Sequence, residues 1–255
     1  MLLRLITYIR NSINRVVWKA KPSLYTEFLR KKGVIVGENV HFAALGTSAQ
    51  PLIDLTRPSL VEIGDNVYIN ENFTLFTHDY VSKNFVELYD EFLPSSGRVK
   101  IGSNVSFGAH VMVLKGVEIG DNCFIAAGSL VTKDIPANSI AAGRPAKAIC
   151  TMEQYFLRRK KECVQEAFAY ARSIKDRFNR NPEVSDFWEE FPLFVDSRNI
   201  DEYPELPIKS QLGSHYDKWL ESHKAPFSGF DEFLKEALKY NDSVKFEVVQ
   251  PWLSR

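Results

Sequence analysis

The chain has 255 residues, 45% of them hydrophobic, which suffices for a sizeable core in one large domain or one domain with extensions. Lys plus Arg and Asp plus Glu balance at 32 each, so no net field draws nucleic acid. Three cysteines (Cys123, Cys150, Cys163) lack C-x-x-C spacing, which argues against a disulfide framework or a zinc site and fits a reducing, cytoplasmic compartment; no apolar run approaches the ~20 residues that cross a bilayer.

In residues 1–20 the apolar positions 2, 5, 6, 9, 13, 16 and 17 have helical spacing. Arg4, Arg10 and Arg15 break the apolar run and no small-residue cleavage site follows, so it is not read as a signal peptide. Residues 1–21 carry five basic side chains and no acidic one. Such a helix either lies on an anionic membrane surface, as a peripheral contact at the inner face of the membrane, or caps the open end of the core that follows. Residues 1–33 are assigned to this helical segment.

Residues 34–150 follow a period of six. Ile101, Phe107, Val113, Ile119, Ile125 and Val131 recur at that spacing. A second, often smaller inward residue follows each by four: Val105, Val111, Val117, Cys123, Ser129 and Ile135. Neither a helix nor simple alternation gives this period. Short strands joined by two-residue turns do, three to a coil, with like residues stacked at the ~4.8 Å strand spacing. Cys123 therefore reads as core rather than nucleophile. The spacing from Gly102 to Gly120 is 18 residues, one coil, whereas Gly64 to Gly102 is 38. An irregular excursion is thus predicted at residues 79–98, with a smaller insertion near Gly46–Pro58. A long loop inside a compact repeat is usually functional or disordered.

Residues 151–255 read as a mostly helical extension. Thr151-Met152-Glu153-Gln154 is a capping-box pattern that predicts a helix to about Phe178. Pro182, Pro192, Pro204 and Pro207 mark a loop-rich stretch, and "HYDKWLESHK" and "FDEFLKEALKY" fit further helices. The segment is too rich in aromatic residues to be disordered.

The stretch "VEIGDNCFIAAGSLVTKDIPANSIAAGRPAKAI" carries G-D-N turns, a T-K-D-I-P run and a closing A-G-R-P-A-K-A-I in order. It resembles the hexapeptide-repeat acyltransferases, similar to galactoside, maltose and polysaccharide O-acetyltransferases, over roughly residues 34–150. The resemblance implies a mainly β fold, a left-handed parallel β-helix with helical flanks. The hand comes from the resemblance alone, since the usual crossover rule gives the opposite one. It also implies acetyl-CoA as acyl donor, a saccharide hydroxyl as acceptor, no metal, and a homotrimer with sites between subunits. An amino-sugar N-acetyltransferase is the alternative. A zinc enzyme of the carbonic-anhydrase type needs three converging histidines, normally with an H-x4-H pair, which the sequence lacks; a non-catalytic scaffold is the remaining reading.

Of five histidines, His78 stands where the excursion leaves the coil. The resembling families place their catalytic histidine after a T-L-x-x strand at such a point, and "TLFTHDY" (Thr74 to Tyr80) matches. A sugar hydroxyl needs a base of near-neutral pKa, and a thiol leaving group has a pKa of only ~8.5. One base and one amide donor for the oxyanion then suffice for direct transfer in a ternary complex. Asp79 and Asp54 are both candidates to orient His78. His110, in "SFGAH", reads as groove-lining. By resemblance Gly108, Ala109, His110, Ala126, Ala127 and Gly128 border the pantetheine arm, and Thr132, Lys133, Arg144 and Lys147 meet the nucleotide phosphates.

Overall fold

The computed structural model describes residues 16–239. Most of the segment read as a membrane-contacting helix lies outside the described residues. Residues 16–20 are helical, and a second helix, Ser23–Lys32, follows. It stops at Gly33, whose φ of 99° only glycine adopts freely and whose N–H returns to the Arg30 and Leu29 carbonyls. Tyr25 and Leu29 are its buried residues. They join the first coil's core, Tyr25 meeting Phe42 edge to face at 5.0 Å. No helix among the described residues is long and apolar enough to cross a membrane.

Twelve short strands then build a three-walled coil. They are β1 (Ile35–Val36), β2 (His41–Phe42), β3 (Leu52–Ile53), β4 (Val61–Ile63), β5 (Tyr68–Ile69), β6 (Thr74–Leu75), β7 (Val99–Ile101), β8 (Ser106–Phe107), β9 (Met112–Val113), β10 (Glu118–Ile119), β11 (Phe124–Ile125) and β12 (Leu130–Val131). Every strand pairs in parallel with the strand three places on, giving walls β1-β4-β7-β10, β2-β5-β8-β11 and β3-β6-β9-β12. β13 (Ser139–Gly143) extends the second wall, and β14 (Ala146–Thr151) folds back antiparallel on it. Side chains at both inward positions of each six, among them Phe107, Ile119, Ile125 and Cys123, are buried in one continuous core.

The corner between the first and second walls holds a ladder of asparagines. Asn39, Asn66, Asn104, Asn122 and Asn138 all have positive φ, which asparagine tolerates better than most residues. Each side-chain amide donates to the next, at 2.9–3.1 Å. The rungs are unevenly spaced in sequence: 27 residues from Asn39 to Asn66, 38 to Asn104, then 18 to Asn122.

The longer spacings reflect the two insertions. The first is split between residues 43–51 and 54–60, the latter closing on a 3-10 turn, Pro58–Leu60. The second, residues 79–98, is not irregular throughout: it contains the helix Ser82–Tyr89, which ends at Asp90 with φ 55°. It rejoins the coil where Gly97 N–H donates to the Thr77 carbonyl at 2.9 Å. A Cβ on Gly97 would lie 2.7 Å from Gly116 N, so the return strand fits only a glycine.

Two compact units divide at Phe156/Leu157, inside the helix Met152–Phe178 rather than at its start. The capping pair forms: Gln154 N–H donates to Thr151 Oγ1 at 3.1 Å, and Thr151 N–H to Gln154 Oε1 at 3.0 Å. The second unit has its own aromatic core around Phe168, Phe187, Phe194 and Phe233. Further helices are Ile208–Leu212, Tyr216–Ser222 and Phe230–Lys239. The expectation of a mainly β chain is corrected: 39% of the described residues are helical and 17% lie in strands. Coil strands are only two or three residues long, so turns take up much of the prism, while helices of the extension count at full length.

Candidate active site

The second part of the first insertion, residues 54–60, and the whole of the second leave the prism at the same corner, between the third wall and the first, one coil apart. β3 pairs with β6, placing Ile53 against Leu75, and Asp54 N–H donates to the Leu75 carbonyl at 3.0 Å. Asp54 then turns back by accepting from Thr56 N–H at 2.9 Å, a local Asx-type turn. The next coil contributes Thr77 and His78 from the mouth of the excursion.

These four residues form one network. His78 Nδ1 lies 2.7 Å from Asp54 Oδ2 and 3.1 Å from Thr56 Oγ1. Thr77 donates both its N–H, at 2.9 Å, and its hydroxyl, at 2.6 Å, to Asp54 Oδ2. Thr56 Oγ1 donates to Asp54 Oδ1 at 2.7 Å. Asp54 is 6% exposed and the His78 side chain 10%. Burial alone would raise the Asp54 pKa, but the hydroxyl and backbone donors of Thr77 and Thr56 outweigh it and hold the carboxyl well below the usual range. An ionised carboxylate can only accept, so Nδ1 carries the proton towards it and the lone pair falls on Nε2.

Asp79, the other carboxylate singled out in the sequence, is engaged elsewhere. It pairs with Lys115 at 2.6 Å and accepts from Ser95 Oγ at 2.8 Å and Val81 N–H at 3.2 Å. Lys115 and Ser95 hold its pKa down at about 2. Asp79 thus ties the excursion to the prism. Tyr80, 65% exposed, packs on the imidazole at 4.8 Å and 70°. Thr56, Thr77 and Tyr80 were not singled out from the sequence. The Asp54-x-Thr56 spacing is the one signal that could have found any of them, as an Asx turn.

Gly108, Ala109, His110, Ala127 and Gly128 lie together at the neighbouring corner, between the second and third walls. A Cβ on Gly108 would stand 2.5 Å from Ala127 N, so successive turns touch through backbone, whereas Gly128 has open space there and a φ of 73°. His110, with φ 60°, lies 3.4 Å from Asn72 Nδ2 through Nε2 and is exposed. Arg144, in the turn between β13 and β14, donates Nε to the Gly128 carbonyl at 2.8 Å and so belongs to this corner; Lys147 follows on β14. Thr132 and Lys133 do not join them. They follow β12 on the third wall, which places them at the His78 corner two coils on. Among the described residues no three His, Cys, Asp or Glu side chains are grouped as metal ligands.

A family model described as bacterial transferase hexapeptide (six repeats) matches residues 98–133. The YvoF protein of Bacillus subtilis (strain 168), which bears an acetyltransferase name, is 34% identical over 141 residues, 55% of this chain and 72% of that protein. Galactoside O-acetyltransferase of Escherichia coli (strain K12) is 42% identical over 120 residues, 44% of this chain. The match spans only 54% of that relative's length. A solved galactoside acetyltransferase in complex with coenzyme A is 34% identical, over 55% of this chain and 74% of that one, with a TM-score of 0.39. The repeat and its parallel walls are those of a hexapeptide transferase. The chain belongs to the hexapeptide-repeat acetyltransferases and is an acyltransferase.

Proposed function

We propose that the protein transfers an acetyl group from acetyl-CoA to a saccharide hydroxyl, with His78 as general base. The observation that carries this reading is the Asp54–His78 pair at the mouth of the excursion. With Nδ1–H directed at Asp54, Nε2 is the atom that takes the hydroxyl proton as the oxygen attacks the thioester carbonyl. Asp54 holds the tautomer and stabilises the imidazolium that forms. The tetrahedral intermediate then expels the CoA thiolate, which recovers the proton from His78. A backbone N–H would stabilise the oxyanion.

The coil is read as left-handed, after the family. The corner of Gly108, Ala127 and Gly128 suits a pantetheine arm, because no side chain at those three positions is larger than a methyl group and the backbone can be approached, and Arg144 and Lys147 would meet the phosphates. That corner and His78 stand at opposite ends of third-wall strands, roughly 12–17 Å apart at ~3.3 Å per residue. A base must come within roughly 3 Å of the proton it removes. A closed three-fold assembly, in which the His78 corner of one copy faces the Gly108 corner of the next, meets both requirements. The test is an acceptor screen with labelled acetyl-CoA and identification of the acetylated atom. Transfer to a sugar oxygen, lost in His78→Ala, is expected; transfer to an amine, or turnover that survives His78→Ala, overturns the reading.

A further inference from the structure

Several cations of the prism near His78 are paired with carboxylates. Lys115 pairs with Asp79. Arg98 pairs with Glu62 and Lys100 with Glu118. Arg57 pairs with no carboxylate among the described residues; its contact is a long one, Nη1 to Thr56 Oγ1 at 3.4 Å. Since Thr56 Oγ1 is 3.1 Å from His78 Nδ1, that guanidinium nitrogen lies no more than about 6.5 Å from the imidazole. It is partly buried and held at the start of the Pro58–Leu60 turn, where Leu60 N–H donates to the Arg57 carbonyl at 3.0 Å.

The two carboxylates flanking His78 are engaged by other groups. Asp54 accepts from both threonines and faces His78, and Asp79 is neutralised by Lys115. Arg57 therefore adds a positive charge and a planar fork of donors, not ion-paired to a carboxylate among the described residues, beside the candidate base. Tyr80 adds an exposed aromatic surface, of a kind that covers apolar sugar C–H faces, on the same imidazole.

We propose that the acceptor is an anionic saccharide and that Arg57 is the specificity-determining residue that binds its charge. This rests on the saccharide O-acetyltransferase reading and narrows it. A carboxylate or phosphate on the acceptor pairs with Arg57 while the hydroxyl to be acetylated sits at His78 Nε2. A charge-assisted contact of this kind corresponds to about ten- to a hundred-fold in acceptor affinity.

The experiment uses the full chain, acetyl-CoA and three matched acceptors: a neutral galactoside, the corresponding galacturonide and the galactoside 6-phosphate. Wild type is expected to favour at least one anionic acceptor over the neutral one by about ten-fold or more in kcat/KM, through KM. Raising NaCl from about 50 to 300 mM should raise that KM and leave the neutral one in place. Arg57→Gln should bring the anionic-to-neutral ratio close to one, and Arg57→Lys should restore part of it. Equal kcat/KM for all three acceptors in wild type overturns the proposal and leaves the acetyltransferase reading standing. So does an Arg57→Gln loss that is the same for neutral and anionic acceptors, or an altered oligomer size in that variant, since either marks a structural role. Transfer to none of the three, nor to any other saccharide in the wider screen, overturns both.

Discussion

His78 Nδ1 and Asp54 Oδ2 are 2.7 Å apart although 24 residues separate them in sequence. The contact is made by register: β3 stacks on β6, so the residue that ends one coil's third strand stands beside the turn that ends the next. Replacing the proposed base should therefore differ in size from replacing its support. His78→Ala is expected to lower kcat by roughly 10²–10⁴. Asp54→Asn should lower it by a smaller factor while leaving donor KM in place, because the imidazole remains but its tautomer is no longer fixed. Steady-state kinetics against both substrates checks this; an Asp54→Asn enzyme with wild-type kcat removes Asp54 from the reaction.

Stability should follow pH through the same carboxylate. The folded pKa of Asp54 is depressed, so its contribution is complete above the unfolded value of ~3.9 and is withdrawn as pH falls towards the lower folded value. Asp54→Asn is expected to cost about 2 kcal/mol at pH 7, the scale for a buried hydrogen bond to a charged group. Urea titrations of wild type and variant should differ at pH 7 and converge below about pH 4. A gap that stays constant down to pH 3 means the donors do not hold the charge.

The two glycines of the neighbouring corner should respond differently to alanine. At Gly108 the added methyl would meet Ala127 N at 2.5 Å, so adjacent coils must part and both stability and donor binding should fall. At Gly128 there is open space, and only the φ of 73° resists, so a loss of about 1 kcal/mol is expected. Thermal unfolding and donor KM for the two variants give the comparison.

A shared site predicts complementation. His78→Ala protein and protein carrying Ala127→Trp, which blocks the corner, should each be inactive. Dissociated, mixed and reassembled, they should regain part of the activity at interfaces that pair an intact His78 with an intact corner. No recovery in demonstrated mixed assemblies means that each chain supplies both halves.

The regular coils were legible in the sequence because a six-residue period fixes which side chains turn inward, and Ile101, Phe107 and Val113 repeat it without a fault. His78 was legible as the point where that period stops. Its carboxylate partner was narrowed to Asp79 and Asp54 but not chosen between them, because Asp79 is adjacent in sequence while Asp54 is adjacent only across stacked coils. The helix Ser82–Tyr89 was missed for a related reason. Its apolar residues Val86, Leu88 and Tyr89 are exposed, so no buried stripe gave it a helical period. The strand content was overestimated because the repeat announces its strands loudly and its turns occupy more residues than they do.

The uneven rungs of the asparagine ladder set an order of assembly. In a stacked coil each layer contacts only its neighbours, so the chain can start anywhere and propagate. Closing a layer across 18 residues costs less chain entropy than closing one across 38, by about 0.6 kcal/mol for a doubling of loop length. The uninterrupted layers from β7 to β12 are thus expected to zip first, and the layers that bring Asp54 to His78 to close last and reopen most readily. Hydrogen exchange should show this as a gradient, with amides of β9 and β11 protected longest and those of β3 and β6 released sooner.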